Sequence, residues 1–374
     1  MKVGIISMQR VVNCGSFLQA YGLKKIIESL GHEVIFIDYK VEKPICKTKE
    51  DEILYRKKRL KNIILNSLSK SPIFFRLLPN EIKYSVNDRY NYNKVYFEQL
   101  GLTKKKVYNI PVESIVIGSD EVFNCLQLNP EVGFSLELFG KGCNAKRRIT
   151  YAASFGNTTI EEILASGKMN EIQKYLNKFN AISTRDENSS NIIQKLTGIV
   201  PFHNLDPVLI YGFLNEIPDL EISEKFVLVY AYRRRIREEE AKQIKKFSTS
   251  RGLKIISVGG YQPFCDENIL ASPFEILGYF RKAEYVFTDT FHGTIFSIIN
   301  HKKFGTFIRE GHGKNYGNSE KLTGLLKDME LTNRALNDCS NIDKVIENEI
   351  DYEKVESILL AERERAISYL KENI

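Results

Sequence analysis

The sequence predicts an α/β protein built of two Rossmann-like domains facing a central cleft. Short β-branched runs alternate with segments of helical periodicity along the whole chain. The first of these segments close into a strand-helix-strand of the length used in open parallel sheets. Polar and charged residues gather just beyond the strands, where the ligand crevice of such sheets lies. At 374 residues there is room for two domains, and 43% hydrophobic residues are enough for their cores, which excludes a largely disordered chain.

Val3 to Ser7 is the first strand. Asn13-Cys14-Gly15-Ser16 follows as turn chemistry, with Ser16 expected to cap a helix over Phe17 to Leu30 that Gly31 closes. Val34 to Ile37 is the second strand. Ser114 to Ile117 ends at Gly118-Ser119-Asp120, Ile149 to Ala153 at Ser154-Phe155-Gly156, and Ala181 to Ser183 at Thr184-Arg185-Asp186, with a helix from about Glu187. Ile199 to Leu205 leads into Asp206-Pro207. A second series opens with Phe226 to Tyr230 and continues with Ile255 to Val258, Tyr285 to Thr288, a helix over Gly293 to Asn300 and a strand over Phe304 to Ile308. The two halves join near residues 210–225, so the expected domains are 1–212 and 213–374, with the last helix packing back on the first.

Charge is unevenly placed. From Lys40 to Lys106 there are 17 Lys and Arg against 7 Asp and Glu, a surplus of +10, whereas the whole chain is +7. This basic insertion, 40–106, holds Ile53, Leu54, Tyr55, Leu60, Ile63, Ile64 and Leu68 around Arg56-Lys57-Lys58-Arg59. Such a helix can lie on an anionic membrane surface, or simply present a solvated face. Nucleic acid is not an expected partner, because no recognised nucleic-acid module accompanies the charge. No apolar run approaches the roughly 18 residues that span a bilayer, and the N-terminus reads as a strand rather than a signal peptide. Six scattered cysteines without a C-x-x-C pair argue against zinc and against a disulfide framework, and for a reduced, cytoplasmic setting.

The sharpest chemical signal is Thr288-Asp289-Thr290-Phe291-His292-Gly293-Thr294. A strand end followed by a helix start at Gly293 and Thr294 offers backbone N–H groups to an anion, and His292 can supply a proton near neutral pH; a His that caps or packs is the plainer account. Arg233 leaves the strand ending at Tyr232 and can face an anion, while Arg234, Arg235 and Arg237 read as a solvated helix start. Arg185 is either an anion ligand or a structural partner of a carboxylate. Asp120 either orients or deprotonates a sugar hydroxyl, or caps a helix. Cys14 is a candidate nucleophile by residue type, with a small residue in a tight loop as the plainer account. The loop Asn13 to Ser16 matches neither the dinucleotide nor the P-loop pattern, and no G-x-S-x-G elbow occurs.

Taken in order, Asn13-Cys14-Gly15-Ser16-Phe17-Leu18-Gln19-Ala20-Tyr21, Gly118-Ser119-Asp120-Glu121-Val122-Phe123, Ser154-Phe155-Gly156, Ser183-Thr184-Arg185-Asp186, Asp206-Pro207 and Thr288 to Ser297 resemble the polysaccharide pyruvyl transferase family over about residues 1–330. The resemblance implies a fold like that of the B-type glycosyltransferases. It also implies transfer from phosphoenolpyruvate to two hydroxyls of a sugar, giving a cyclic ketal and phosphate. His292 and Arg185 fall on the family's active-site positions, His292 as general acid and Arg185 as a donor ligand. Lys321, before Leu325-Leu326, takes the place of a late basic residue, although Glu320 intervenes where relatives carry Arg. Phe123 stands where many relatives have Trp. On this reading Asp120 is base or orienter. Arg185, Lys321, Arg233, Gly293 and Thr294 hold the donor, and Asn13, Ser16 and Ser119 the acceptor. No metal and no cofactor beyond the co-substrate phosphoenolpyruvate are expected. A lipid-linked acceptor would place the enzyme at the inner face of the cytoplasmic membrane. The alternatives are a B-type glycosyltransferase using a nucleotide-sugar and a non-catalytic glycan-binding protein.

Overall fold

In a computed structural model of the chain, residues 1–45, 47–69, 77–233, 235–310 and 319–374 are described. Cys46, Arg234, His312 and residues 70–76 of the basic stretch lie outside them. The chain divides into two units, one of Met1–Arg76, Arg89–Tyr211 and Ala361–Ile374, the other of Leu77–Asp88 and Gly212–Leu360. Both are α/β with one six-stranded parallel sheet, as the two Rossmann-like domains require.

In the first unit the strands are β1 (Lys2–Ile6), β2 (Glu33–Phe36), β3 (Val112–Asp120), β4 (Ala145–Ala153), β5 (Ser183–Thr184) and β6 (Phe202–His203), in the order β2-β1-β3-β4-β5-β6. All pairs are parallel, with Val3 beside both Val34 and Ser114. β1 and the centre of β3 are buried on both faces, which explains their unbroken apolar runs. β4 begins earlier than expected because Lys146, Arg147 and Arg148 sit on its exposed start and hide the strand pattern. Phe123 is fully buried and stacks on Phe139 at 4.7 Å, with Phe155 at 5.2 Å. The segment 361–374 belongs to this unit, and Tyr369 Oη donates to the Thr150 carbonyl at 2.8 Å.

In the second unit β7 (Phe226–Tyr230), β8 (Lys254–Val258), β9 (Glu267–Ile269), β10 (Tyr285–Thr288), β11 (Lys303–Phe307) and β12 (Ala335–Leu336) run in the order β12-β11-β10-β7-β8-β9. β9 and β12 escaped the sequence reading because three and two residues are too few to show a period. β7 is buried along its whole length between β10 and β8. Residues 77–88 join this unit although they precede β3 in the chain, and Tyr84 Oη donates to the Ile269 carbonyl at 3.1 Å.

Two helix starts differ from expectation, for one reason. The first helix runs Cys14–Ser29 and is capped by Asn13, whose side chain accepts from the Ser16 amide at 3.0 Å. The second runs Phe291–Ile299 and is capped by Thr290, which accepts from the Gly293 amide at 2.9 Å. In both, an earlier Asn or Thr takes the capping place ahead of the small residues that the sequence singled out. Among the described residues no helix is long and apolar enough to cross a membrane.

Candidate active site

Each unit carries its own group of charged side chains at the carboxyl edge of its sheet. In the first unit the group is built on β3, β5 and β6. Asp120 ends β3 in the left-handed region, with φ at 71°, a backbone that Asp tolerates better than most residues. Arg185 follows β5 directly. It donates through Nη2 to Asp120 Oδ1 at 3.1 Å and through Nη1 to Asp206 Oδ2, beyond β6, at 2.8 Å. The arginine side chain is only 3% exposed and that of Asp206 not at all. Burial opposes the charge on Arg185, but Asp120 and Asp206, helped by Glu121 and Asp186, outweigh it and hold the guanidinium above its usual range.

Asp120 has further partners. Ser16 Oγ donates to its Oδ2 at 3.0 Å, and the Glu121 amide to its Oδ1 at 2.9 Å. No helix begins at Asp120, so the capping account of this residue does not hold; Asp186 is the cap, accepting from the Ser189 amide at 2.8 Å. The first unit therefore offers a carboxylate oriented by a hydroxyl, an amide and a guanidinium. It has two carboxylates to one cation, so Arg185, expected as a donor ligand, already serves two anions of its own.

The expected acceptor contacts separate. Ser16 is within reach of Asp120. Asn13 uses its side-chain oxygen as the helix cap. Ser119 is fully buried and donates to Gln19 Oε1 at 2.8 Å, and Gln19 in turn donates to Ser7 Oγ at 3.0 Å and the Ser16 carbonyl at 2.9 Å. Ser119 thus belongs to a buried polar layer under the loop and cannot touch an acceptor. Gln19 was open to inference from its polar side chain on an otherwise apolar helix face, since a buried amide needs partners for both ends.

In the second unit three adjacent strands, β7, β10 and β11, supply the group. Asp289, just after β10, is fully buried and lies 2.7 Å from Arg235 Nε, which follows β7, and 3.5 Å from Arg309 Nε, which follows β11. Arg309 is forked onto Glu240 at 2.7 and 2.9 Å. Burial pushes the Asp289 carboxyl up, against the pull of Arg235 and Arg309. Arg235 was expected on a solvated helix start; the helix begins only at Glu238, so Arg235 sits in the loop and turns to Asp289. Arg233, expected at the donor, is instead paired with Glu81. Arg309 was missed although it follows a recognised strand, the same signal that singled out Arg185.

His292 stands in the first turn of the helix after β10. It is 8% exposed, edge-on to Phe291 and 6.1 Å from the Phe296 ring. Gly293 and Thr294, expected to contact the donor, are occupied otherwise. The Gly293 amide donates to Thr290, and the buried Thr294 hydroxyl donates to the Thr290 carbonyl at 3.0 Å and meets Thr306 Oγ1 at 2.9 Å. A Cβ on Gly293 would overlap Thr288 Oγ1 and come within 2.8 Å of Tyr230 Cδ1, so glycine lets the helix start press onto β10 and β7. Gly293→Ala should cost about 1–3 kcal/mol, measured as a lowered urea midpoint; an unchanged midpoint would show that the close approach is not needed. Lys321 lies in the first turn of the helix Ser319–Asp328, half-buried, and that turn is tied to the β11 end by the Ser319 amide, which donates to the Arg309 carbonyl at 3.1 Å.

A family model described as polysaccharide pyruvyl transferase matches residues 13–310. No curated protein matches the chain. Among solved structures, S. aureus MnaA with UDP is similar at 9% identity and a TM-score of 0.49, covering 99% of this chain and 96% of its own. The UDP-GlcNAc 2-epimerase from Methanocaldococcus jannaschii is similar at 11% identity and 0.46, covering 94% and 93%. An E. coli structure described as trehalose-6-phosphate bound with UDP-2-fluoro glucose reaches 10% identity and 0.49, covering 100% of both chains.

Proposed function

This chain belongs to the polysaccharide pyruvyl transferase family, and we propose that it moves the three-carbon unit of phosphoenolpyruvate onto two hydroxyls of a sugar in a lipid-linked polysaccharide precursor. The supporting observation is His292, an imidazole at a strand end with Asp289, Arg235 and Arg309 grouped on the neighbouring strand ends.

The reaction needs a proton on the methylene carbon while a sugar oxygen bonds to the enol carbon, which gains positive character. His292 donates that proton. The first hydroxyl proton passes to a base, for which the oriented carboxylate of Asp120 is suited. A second hydroxyl then displaces phosphate from the same carbon. One hydroxyl proton ends on the new methyl group, by way of the protein, and the other on phosphate, so the scheme balances without a cofactor. The donor's carboxylate and phosphate call for cations: Lys321 and Arg235 are the candidates of the second unit, Arg235 standing in for Arg233. Arg185 acts on Asp120, holding its carboxylate in place through the 3.1 Å hydrogen bond, which is a positioning role.

The test is release of inorganic phosphate from phosphoenolpyruvate with and without lipid-linked galactose- or mannosamine-containing acceptors, followed by mass spectrometry of the product. Acceptor-dependent phosphate release with a ketal on the sugar is the expected result. Turnover of a nucleotide-sugar, with phosphoenolpyruvate inert, would overturn the reading.

A further inference from the structure

Within the basic insertion, the helix Lys49–Leu68 turns its apolar residues outward. Ile53, Leu54, Leu60, Ile63 and Ile64 are 52, 43, 59, 56 and 49% exposed, while Tyr55 is its buried residue. At 3.6 residues per turn, Ile53, Leu60 and Ile64 fall within an arc of about 40°, on the side opposite Tyr55 and Asn62. The inner side is polar: Arg89, paired with Glu131, donates to the side chains of Asn66 at 3.2 Å and Asn62 at 3.5 Å. This is the reverse of an ordinary surface helix, whose apolar stripe faces the core. One exposed leucine needs no explanation. Three large aliphatic side chains on one ridge, with Leu54 and Ile63 exposed to either side of it, form a patch that does.

The charge around the patch selects what covers it. Arg56, Lys57, Lys58, Arg59 and Lys61 crowd the helix, and no Asp or Glu occurs between Ile53 and Ser69. The acidic residues Glu50, Asp51 and Glu52 are confined to the first turn, and Glu52 is taken up by Lys43 and Arg56 at 2.8 and 3.0 Å. Lys57 lies on the apolar ridge itself, with Arg56 and Lys61 at its flanks by the same helical geometry. We propose that this face docks on the surface of an anionic lipid bilayer. Ile53, Leu60 and Ile64 enter the boundary between headgroups and acyl chains. The long stems of Arg56, Lys57 and Lys61 lie along that boundary and deliver their charges to lipid phosphates. A second copy of the chain is a poor occupant, since it would set these five cations against the same five, with the carboxylates of the helix confined to its first turn.

Full-length protein is sedimented with vesicles of phosphatidylcholine alone or of phosphatidylcholine with phosphatidylglycerol. The anionic vesicles should bind at least about tenfold more tightly, and added salt should weaken that binding. Replacing the ridge (Ile53→Ser, Leu60→Ser and Ile64→Ser together) should lower binding by at least about tenfold with an unchanged circular dichroism spectrum, because all three side chains are exposed. Changing Arg56, Lys57 and Lys61 to Gln should erase the preference for anionic vesicles. Equal binding to both vesicle types, no binding, or full binding by the serine variant would overturn the proposal. So would a concentration-dependent dimer that the serine variant abolishes and lipid leaves intact. The assay involves no turnover, so its outcome is separate from that of the phosphoenolpyruvate experiment.

Discussion

His292→Gln should slow phosphate release from phosphoenolpyruvate by about 10²–10⁴-fold, the usual worth of a positioned general acid, with the loss in kcat and little change in KM for the donor. Glutamine fills similar space and can hydrogen-bond, but it cannot release a proton to carbon. The substitution therefore separates proton donation from packing against Phe291 and Phe296. Wild-type kcat in a variant with an unaltered circular dichroism spectrum would leave the imidazole as a packing residue and remove the proposed proton path.

What the sequence disclosed about this molecule follows the range of the interactions concerned. The central strands of both sheets were readable because each carries a compact apolar run that ends in a polar residue, as at Gly118-Ser119-Asp120 and Thr288-Asp289. The short edge strands of the second sheet were not, since β9 and β12 exist through pairing with neighbours rather than through a pattern of their own. The same divide runs through the candidate site. Asp120, Arg185 and His292 announce themselves by residue type at a strand end. Which cation meets which carboxylate does not: Arg235 and Arg233 are two positions apart, yet one turns to Asp289 and the other to Glu81, which lies 152 positions away along the chain. Ser119 and Asp120 are adjacent, but one enters the buried layer with Gln19 and the other, with its backbone in the left-handed region, meets Arg185.

Arg185→Met should destabilise the protein by about 3–5 kcal/mol, the cost of removing one partner from a buried ion pair. The loss is large because two carboxylates depend on one guanidinium. Asp206 is fully buried and Asp120 nearly so, and without the cation they would stand close together, out of water and uncompensated. Methionine fills much of the volume, so the effect reports charge rather than a cavity. The urea midpoint, followed by circular dichroism, should drop accordingly. The penalty should shrink as pH falls and the carboxyl groups take up protons, because a neutral carboxylic acid needs no cation beside it; a penalty unaffected by pH would point to lost packing instead. Arg185→Lys should recover only part of the loss, since one ammonium cannot span both carboxylates as the fork does at 2.8 and 3.1 Å. Combining Arg185→Met with Asp206→Asn should be less harmful than the sum of the two changes, because the second removes one of the charges that the first leaves stranded. Strict additivity would mean that the arginine and Asp206 act independently, and the account of Arg185 as the counter-charge that positions Asp120 would fall with it.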